Sequence, residues 1–449
     1  MTDFEYQYPF SSVIAEGKNE KSFVFSHCSE IVEDQSVPCF FWGDLKQSFV
    51  AAKCLSVLAK TVRSHFAITP EARAFLRDPI ISVGNQQLIF EAFSSCNSVY
   101  ARVNLKKEAL DGEFLQSGCT NIDLNDVSVR ALNSVGANER LLVGIGAKET
   151  KIITEKQQVA EKKVSLPDRW IKGLGNVQIY LSQMDLAYKL SKTEAIQLFR
   201  TLPRTAVKQD YFLTKKGIGY SFSPTQTADS MRIGGVHRLN LLQNLLLLCE
   251  SLYFYRNENE QSTAIVLNFK DIEMIFLLSE SVFRGFSGEG LHLEHLIQEV
   301  PMEYLLGINN FFKANEVFQP TMVSIENDIH FQTMQTFQNS LSSIGLLGYN
   351  LLENNYFYRR LPFKPERLLR LNPRLQNARK LTDNNEVHIL EQTPNSVRAE
   401  VKGSAEVKHL VVGYNSDYQC TCNWFTSHKT QRGLCKHILA VKMLVEKSL

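Results

Sequence analysis

Three cysteines and two histidines fall within eighteen residues, CTCNWFTSHKTQRGLCKH, running from Cys420 to His437. Cys420 and Cys422 are two apart, and in a strand both side chains would leave the same face. Cys435 and His437 are also two apart, just ahead of ILAVKMLV, where Ile438, Val441, Leu444 and Val445 mark one helical face. Two such positions inside a helix would lie about 200° apart. The pair is therefore expected at the frayed helix start, where the backbone can turn both side chains to one point and free N–H groups favour a thiolate.

Cys-x-Cys, twelve residues, then Cys-x-His supplies a Cys₃His donor set of the kind that suits tetrahedral Zn²⁺. Four protein donors leave no position for water or substrate, so the expected cofactor is one structural zinc rather than a Lewis acid. Three thiolates and a neutral imidazole leave that centre formally negative, and any pull on nucleic acid must come from nearby Lys and Arg. The plain alternative is three buried free cysteines and a surface histidine. His428, in the intervening loop, could replace His437, although a loop histidine is more often solvated. Trp424 and Phe425 are expected to cover the site rather than to stack on bases.

The rest of the chain must position these residues. With 449 residues and 44% apolar content it can bury substantial cores in roughly three domains. Its longest apolar runs, near Leu245 to Cys249, are far short of the roughly 20 residues that cross a bilayer. The opening MTDFEYQYPFSS has no basic or apolar leader pattern, so a cytoplasmic protein is expected. The other cysteines, Cys28, Cys39, Cys54, Cys96, Cys119 and Cys249, are scattered and read as reduced thiols. Charge is unevenly spread. Residues 351–449 carry 16 Lys/Arg against 9 Asp/Glu, a net +7, which leaves 33 against 38, or −5, before them. A basic end points to an acidic partner, nucleic acid included.

An α+β, multi-domain fold is expected. Asp44 to Phe66 reads as a helix capped by Asp44, with Ala51, Leu55, Leu58 and Val62 on one face. Short strands follow at 80–83, 88–93 and 99–105, then a helix near 127–135 and a strand at 141–145. Residues 149–168 read as a polar connector and 169–202 as helical. The middle holds an expected helix at Val236 to Tyr255 and strands at 264–269 and 274–278. His330 to Leu361 reads as a helix followed by a hairpin, a winged-helix-like ending. Ser396 to Tyr414 reads as a hairpin turning at Gly403-Ser404. The expected segments are 1–165, an N-terminal α+β domain; 166–325, a middle α+β domain; 326–380, the helix-plus-hairpin unit and basic segment; and 381–449, the finger.

Tyr356 to Lys380 holds eight Lys/Arg against one Glu. As a phosphate-binding footprint it nominates Arg359, Arg360, Lys364, Arg367, Arg370 and Arg374, with Lys429, Arg432 and Lys436 beside the metal as secondary contributors. The bland alternative makes Arg367, Arg370 and Arg374 the wet face of a helix that buries Leu368, Leu371 and Leu375. RGFSGEG, at 284–290, could present backbone N–H groups to a phosphate, but it lacks the Lys-Ser/Thr of a P-loop and reads more simply as a tight turn needing glycine. HLEH, at 292–295, matches neither zincin order. No catalytic residue is nominated, and an enzyme lacks any supporting motif.

The Cys/His stretch resembles the SWIM zinc finger, whose signature is Cys-x-Cys, a variable gap and Cys-x-His in a ββα arrangement. All four ligand positions match. FEAFSSCNSVYARV (90–103), RGFSGEG, YFYRRLPF (356–363) and NPRLQNAR (372–379) further resemble a bacterial family of SWIM proteins of about this length. That resemblance implies a C-terminal finger. It also implies a protein partner, because genes of the family often sit beside MoxR-type AAA+ ATPases and von Willebrand factor A proteins. The expected function is a zinc-binding, non-enzymatic protein whose finger binds nucleic acid or protein, with no membrane contact. The alternative is a protein–protein adaptor in such an ATPase system without nucleic-acid contact.

Overall fold

The computed structural model describes residues 39–66, 79–84, 86–122, 124–164, 166–217, 219–257, 262–283, 285–288, 290, 293–297, 317–326, 328–359, 367, 370–404, 407–415 and 417–447. It also describes the backbone of two paired strands, Val13–Glu16 and Lys21–Val24. Helices and sheets are mixed, as the α+β reading expects. No described helix is long and apolar enough to cross a membrane.

The body is organised by an eight-stranded antiparallel sheet. In spatial order its strands are Asp185–Ser191, Ser251–Arg256, Ser262–Asn268, Ile272–Ser279, Val99–Lys106, Gln87–Phe93, Ile80–Val83 and Gly118–Asn121. Half of these strands precede residue 165 and half follow it. The junction is the pairing of Ile272–Ser279 with Val99–Lys106, in register at Ile275 opposite Arg102. Residues 1–165 and 166–325 thus share one sheet and one continuous core, reaching from Phe40 to Tyr356. A five-stranded sheet adds Cys39–Leu45 between Leu110–Phe114 and Leu141–Gly146.

Several elements depart from the sequence expectation for local reasons. The first helix spans Ser48–Arg63, and its N-cap is Gln47 without a side-chain bond. Asp44 lies in the preceding strand instead. Residues 149–168 are not a connector: Glu149–Thr154 and Gln158–Lys162 pair as a hairpin, and the alternating burial of Val159 and Glu161 is its period-2 signature. Between 169 and 202 a strand, Asp185–Ser191, separates helices Asp168–Ser182 and Lys192–Phe199. The Val236 to Tyr255 helix is a 3₁₀ segment, Val236–Leu245, followed by a strand from Ser251. Its buried residues include Val236, Leu239, Leu242 and Leu245. That spacing of three lines up on a 3₁₀ helix and drifts on an α-helix.

The helix and hairpin between 330 and 361 form as expected. They are Phe331–Ser343, Leu347–Asn350 and Asn355–Tyr358, with Val317–Phe318 added as a third strand. This unit docks on the eight-stranded sheet and on helix Asp168–Ser182 through buried polar contacts. Arg102 donates to the Tyr349 carbonyl at 2.7 Å, Gln178 Oε1 accepts from Tyr349 N–H at 3.1 Å, and Arg359 pairs with Glu91.

The C-terminal region has its own core, built on a four-stranded sheet in the order Val387–Thr393, Ser396–Lys402, Lys408–Tyr414 and Asp417–Cys420. Helices Pro373–Asp383 and Lys436–Lys447 pack together in it. The first of these crosses position 380, so the finger's core recruits a helix from the segment before it. It also recruits Leu293 and Ile297 from the stretch that follows the RGFSGEG loop.

Candidate metal centre

Hairpin strands 396–402 and 408–414 carry Asp417–Cys420 on their edge, with Cys420 opposite Val411. The chain then leaves the sheet, and Cys422 becomes the N-cap of the short helix Asn423–His428, its Sγ accepting the Phe425 N–H at 3.4 Å. Cys435 sits immediately before helix Lys436–Lys447, and His437 lies in that helix's first turn. The Ile438 N–H bonds the Cys435 sulfur, while the Leu439 N–H bonds the Cys435 carbonyl at 3.1 Å. Two of the three sulfurs therefore lie at helix starts, where unpaired N–H groups stabilise a thiolate.

The ligand atoms of Cys420, Cys422, Cys435 and His437 all lie within 4.8 Å of one another. His437 Nδ1 is 3.8 Å from Cys420 Sγ. Zinc with arms of about 2.3 Å to sulfur and 2.0 Å to nitrogen would hold tetrahedral donors roughly 3.5–3.8 Å apart. At its widest the cage thus needs to contract by little more than about 1 Å. All four residues are at most 7% exposed. Three thiols buried this closely cannot all ionise without a cation. Hydrogen bonds from Cys420 and Cys435 hold Cys422 far below the usual thiol range, and the bond to Cys422 pushes Cys420 far above it. For Cys435, a bond from Cys420 works downward, but Cys422 and burial prevail and push it up to about 11. The donor set, its spacing and its burial fit one structural zinc.

His428 stands apart from this cluster, its ring packed edge-on against Trp424 at 4.5 Å. Trp424 is covered by the Arg374 guanidinium, 4.5 Å from its centroid, and Trp424 and Phe425 pack against the finger core as the sequence suggests. His437 Nε2 is buried without a hydrogen-bond partner, and the ring of His409 lies 4.6 Å from that of His437.

Residues 409–445 match the family model of the SWIM zinc finger. That stretch contains all four ligands of the SWIM finger and the sheet-to-helix path between them. No curated protein matches the chain. Among solved structures, Proliferating Cellular Nuclear Antigen from Entamoeba histolytica aligns at 12% identity over 54% of this chain and 98% of its own, with a TM-score of 0.35. At that score the likeness carries no argument.

The basic candidates divide. Arg359 is a correction: it is 3% exposed, pairs with Glu91 and donates from Nε to the Gly345 carbonyl at 2.7 Å, so no phosphate can reach it. Arg360 and Lys364 lie outside the described residues. Arg367 donates to Asp168 at 3.1 Å and to the Leu166 carbonyl at 3.3 Å. Arg374 serves the SWIM finger itself, donating from Nη1 to the carbonyls of Arg432 and Leu434 at 2.8 and 3.2 Å. Arg370 and Lys429 are exposed, and Arg432 and Lys436 are half-buried.

Sequence reasoning missed how the finger is fastened to the body. The loop starting at 285 is a strap between two cores. Phe286 is buried against Phe93 and Tyr180, while Leu293 and Ile297 enter the finger core. Its Gly290 packs against the Arg374 guanidinium and the backbone of Gly433. Gly285 and Gly290 of RGFSGEG thus serve close packing against neighbouring backbone and side chains, where the sequence reading had a tight turn needing glycine. Gly433 has φ +77°, and a Cβ there would lie 2.3 Å from the Gly290 carbonyl oxygen. Gly433→Ala is expected to destabilise the finger by about 1–3 kcal/mol and to speed hydrogen exchange in 293–297, with one zinc still bound. Unchanged exchange in that strap would refute the junction.

Proposed function

We propose that the chain is a zinc-binding, non-enzymatic interaction protein whose SWIM finger engages nucleic acid. The observation that carries this reading is the closed donor set. Four buried protein ligands leave the metal no position for substrate, so zinc builds a surface instead of activating a reactant. Exposed Arg370 and Lys429, with Arg432 and Lys436 near the metal, supply the charge that the formally negative centre lacks.

If about three or four of these cations meet phosphates, affinity for duplex DNA falls with salt on a log–log plot with a slope near −3 to −4. Lys429→Ala with Lys436→Ala flattens that slope by about two at unchanged zinc content. A salt titration with no association at micromolar protein, for DNA and RNA alike, sinks the reading.

A second reading makes the chain a cytoplasmic protein–protein adaptor, with a MoxR-type AAA+ ATPase or a von Willebrand factor A protein as the partner implied by family resemblance. In its favour, Arg359, Arg367 and Arg374 are engaged inside the chain, which shrinks the phosphate footprint. Affinity capture from native cells with and without nuclease separates the two readings, since only partners tethered by nucleic acid are lost on digestion.

A further inference from the structure

The cations of the finger region divide by whether a carboxylate meets them. On the four-stranded sheet Lys402 pairs with Glu386 at 2.7 Å, Lys408 with Glu400 at 2.9 Å and Arg398 with Glu391 at 3.8 Å, so that face carries its charge already matched. Lys442 is matched by Glu294 of the strap. Among the described residues, no side-chain ion pair or hydrogen bond engages Arg370, Arg379 or Lys380, and all three are exposed.

The latter two lie on helix Pro373–Asp383, which meets two environments. Leu375, Ala378 and Leu381 are buried in the finger core, while Gln376, Asn377, Arg379, Lys380 and Asp383 are exposed. Arg374, by donating to the carbonyls of Arg432 and Leu434, fixes the first turn of this helix to the metal loop, so Arg379 and Lys380 stand roughly 8–9 Å further along the axis. Arg370 joins them from just before the helix, its carbonyl accepting from Gln376 Nε2. Asp383 is the only acid in the helix sequence, so the three cations leave a net positive face. No large apolar side chain is exposed on it to anchor a protein partner, whereas Gln376 and Asn377 add amide donors of the kind that phosphate oxygens accept from.

We infer that helix Pro373–Asp383 is a track for a nucleic-acid backbone, with Arg370, Arg379 and Lys380 on its phosphates. The inference rests on the nucleic-acid reading of the finger and extends the contact surface from the metal loop along this helix. Two further cations on phosphates steepen the duplex salt slope by about two, to near −5 to −6. The zinc-loaded full chain is titrated with a labelled duplex across a salt series, beside the double variants Arg379→Ala with Lys380→Ala and Lys402→Ala with Lys408→Ala, which change net charge equally. The helix pair should flatten the slope by about two at unchanged zinc content, and the sheet pair should leave it as it is. A slope that both pairs flatten alike, or that neither moves, overturns the track and leaves the nucleic-acid reading standing. Absence of binding to duplex and single strand alike overturns both. Displacement of the duplex by oligoglutamate at equal charge concentration overturns the phosphodiester and assigns the helix to an acidic protein.

Discussion

Cys435→Ser is expected to strip the zinc from the purified chain and to unfold the finger while the body keeps its fold. Cys435 is 1% exposed and initiates the last helix, and structural zinc contributes an apparent 10–16 kcal/mol or so in comparable small modules. The finger core closes around its ligands and is separate from that of the body, so the loss stays local. Zinc analysis together with hydrogen exchange reads both halves of this expectation. His428→Ala is the control and retains the metal; if it releases zinc, the ligand assignment is wrong. Acidification should act in the same direction as Cys435→Ser. Because the metal-free Cys420 and Cys435 thiols are held up, zinc must displace protons to bind, and its affinity weakens as pH falls.

The second large effect lies far from the metal. Arg359→Ala should lower the stability of the body by about 3–5 kcal/mol, because it removes the ion-pair partner of Glu91 in the core and leaves that carboxyl only the Tyr100 hydroxyl. Both side chains are 1% exposed, and the pair ties the 347–358 hairpin to the eight-stranded sheet. Denaturant unfolding measures the loss, and the double variant Arg359→Met with Glu91→Leu should recover part of it. The salt slope for DNA should not change. Were the slope to flatten with stability unaltered, Arg359 would belong to the phosphate footprint after all.

Arg359 also marks the limit of what the sequence discloses. Its partner Glu91 is 268 residues away, and nothing local separates a buried, paired arginine from a solvated one in YFYRRLPF. The zinc ligands were legible for the opposite reason. Spacing within eighteen residues and the apolar face of ILAVKMLV are local signals, and both the N-capping of Cys435 and the position of His437 follow from them. The hairpins at 347–358 and 396–414 were readable through turn residues and alternation. The eight-stranded sheet was not, since pairing Val99–Lys106 with Ile272–Ser279 is set by a complementary buried surface and leaves no mark on either strand alone. The strap follows the same rule: Gly290 and Gly433 each look like turn glycines until they meet.

The central claim is a closed Cys₃His zinc that builds a surface and does no chemistry of its own. X-ray absorption at the zinc edge on the full chain, as purified, tests it most directly. The predicted spectrum has one zinc per chain with three sulfurs at about 2.3 Å and one nitrogen at about 2.0 Å, and no oxygen ligand. A water oxygen in the first coordination sphere, or fewer than three sulfurs, would contradict the account.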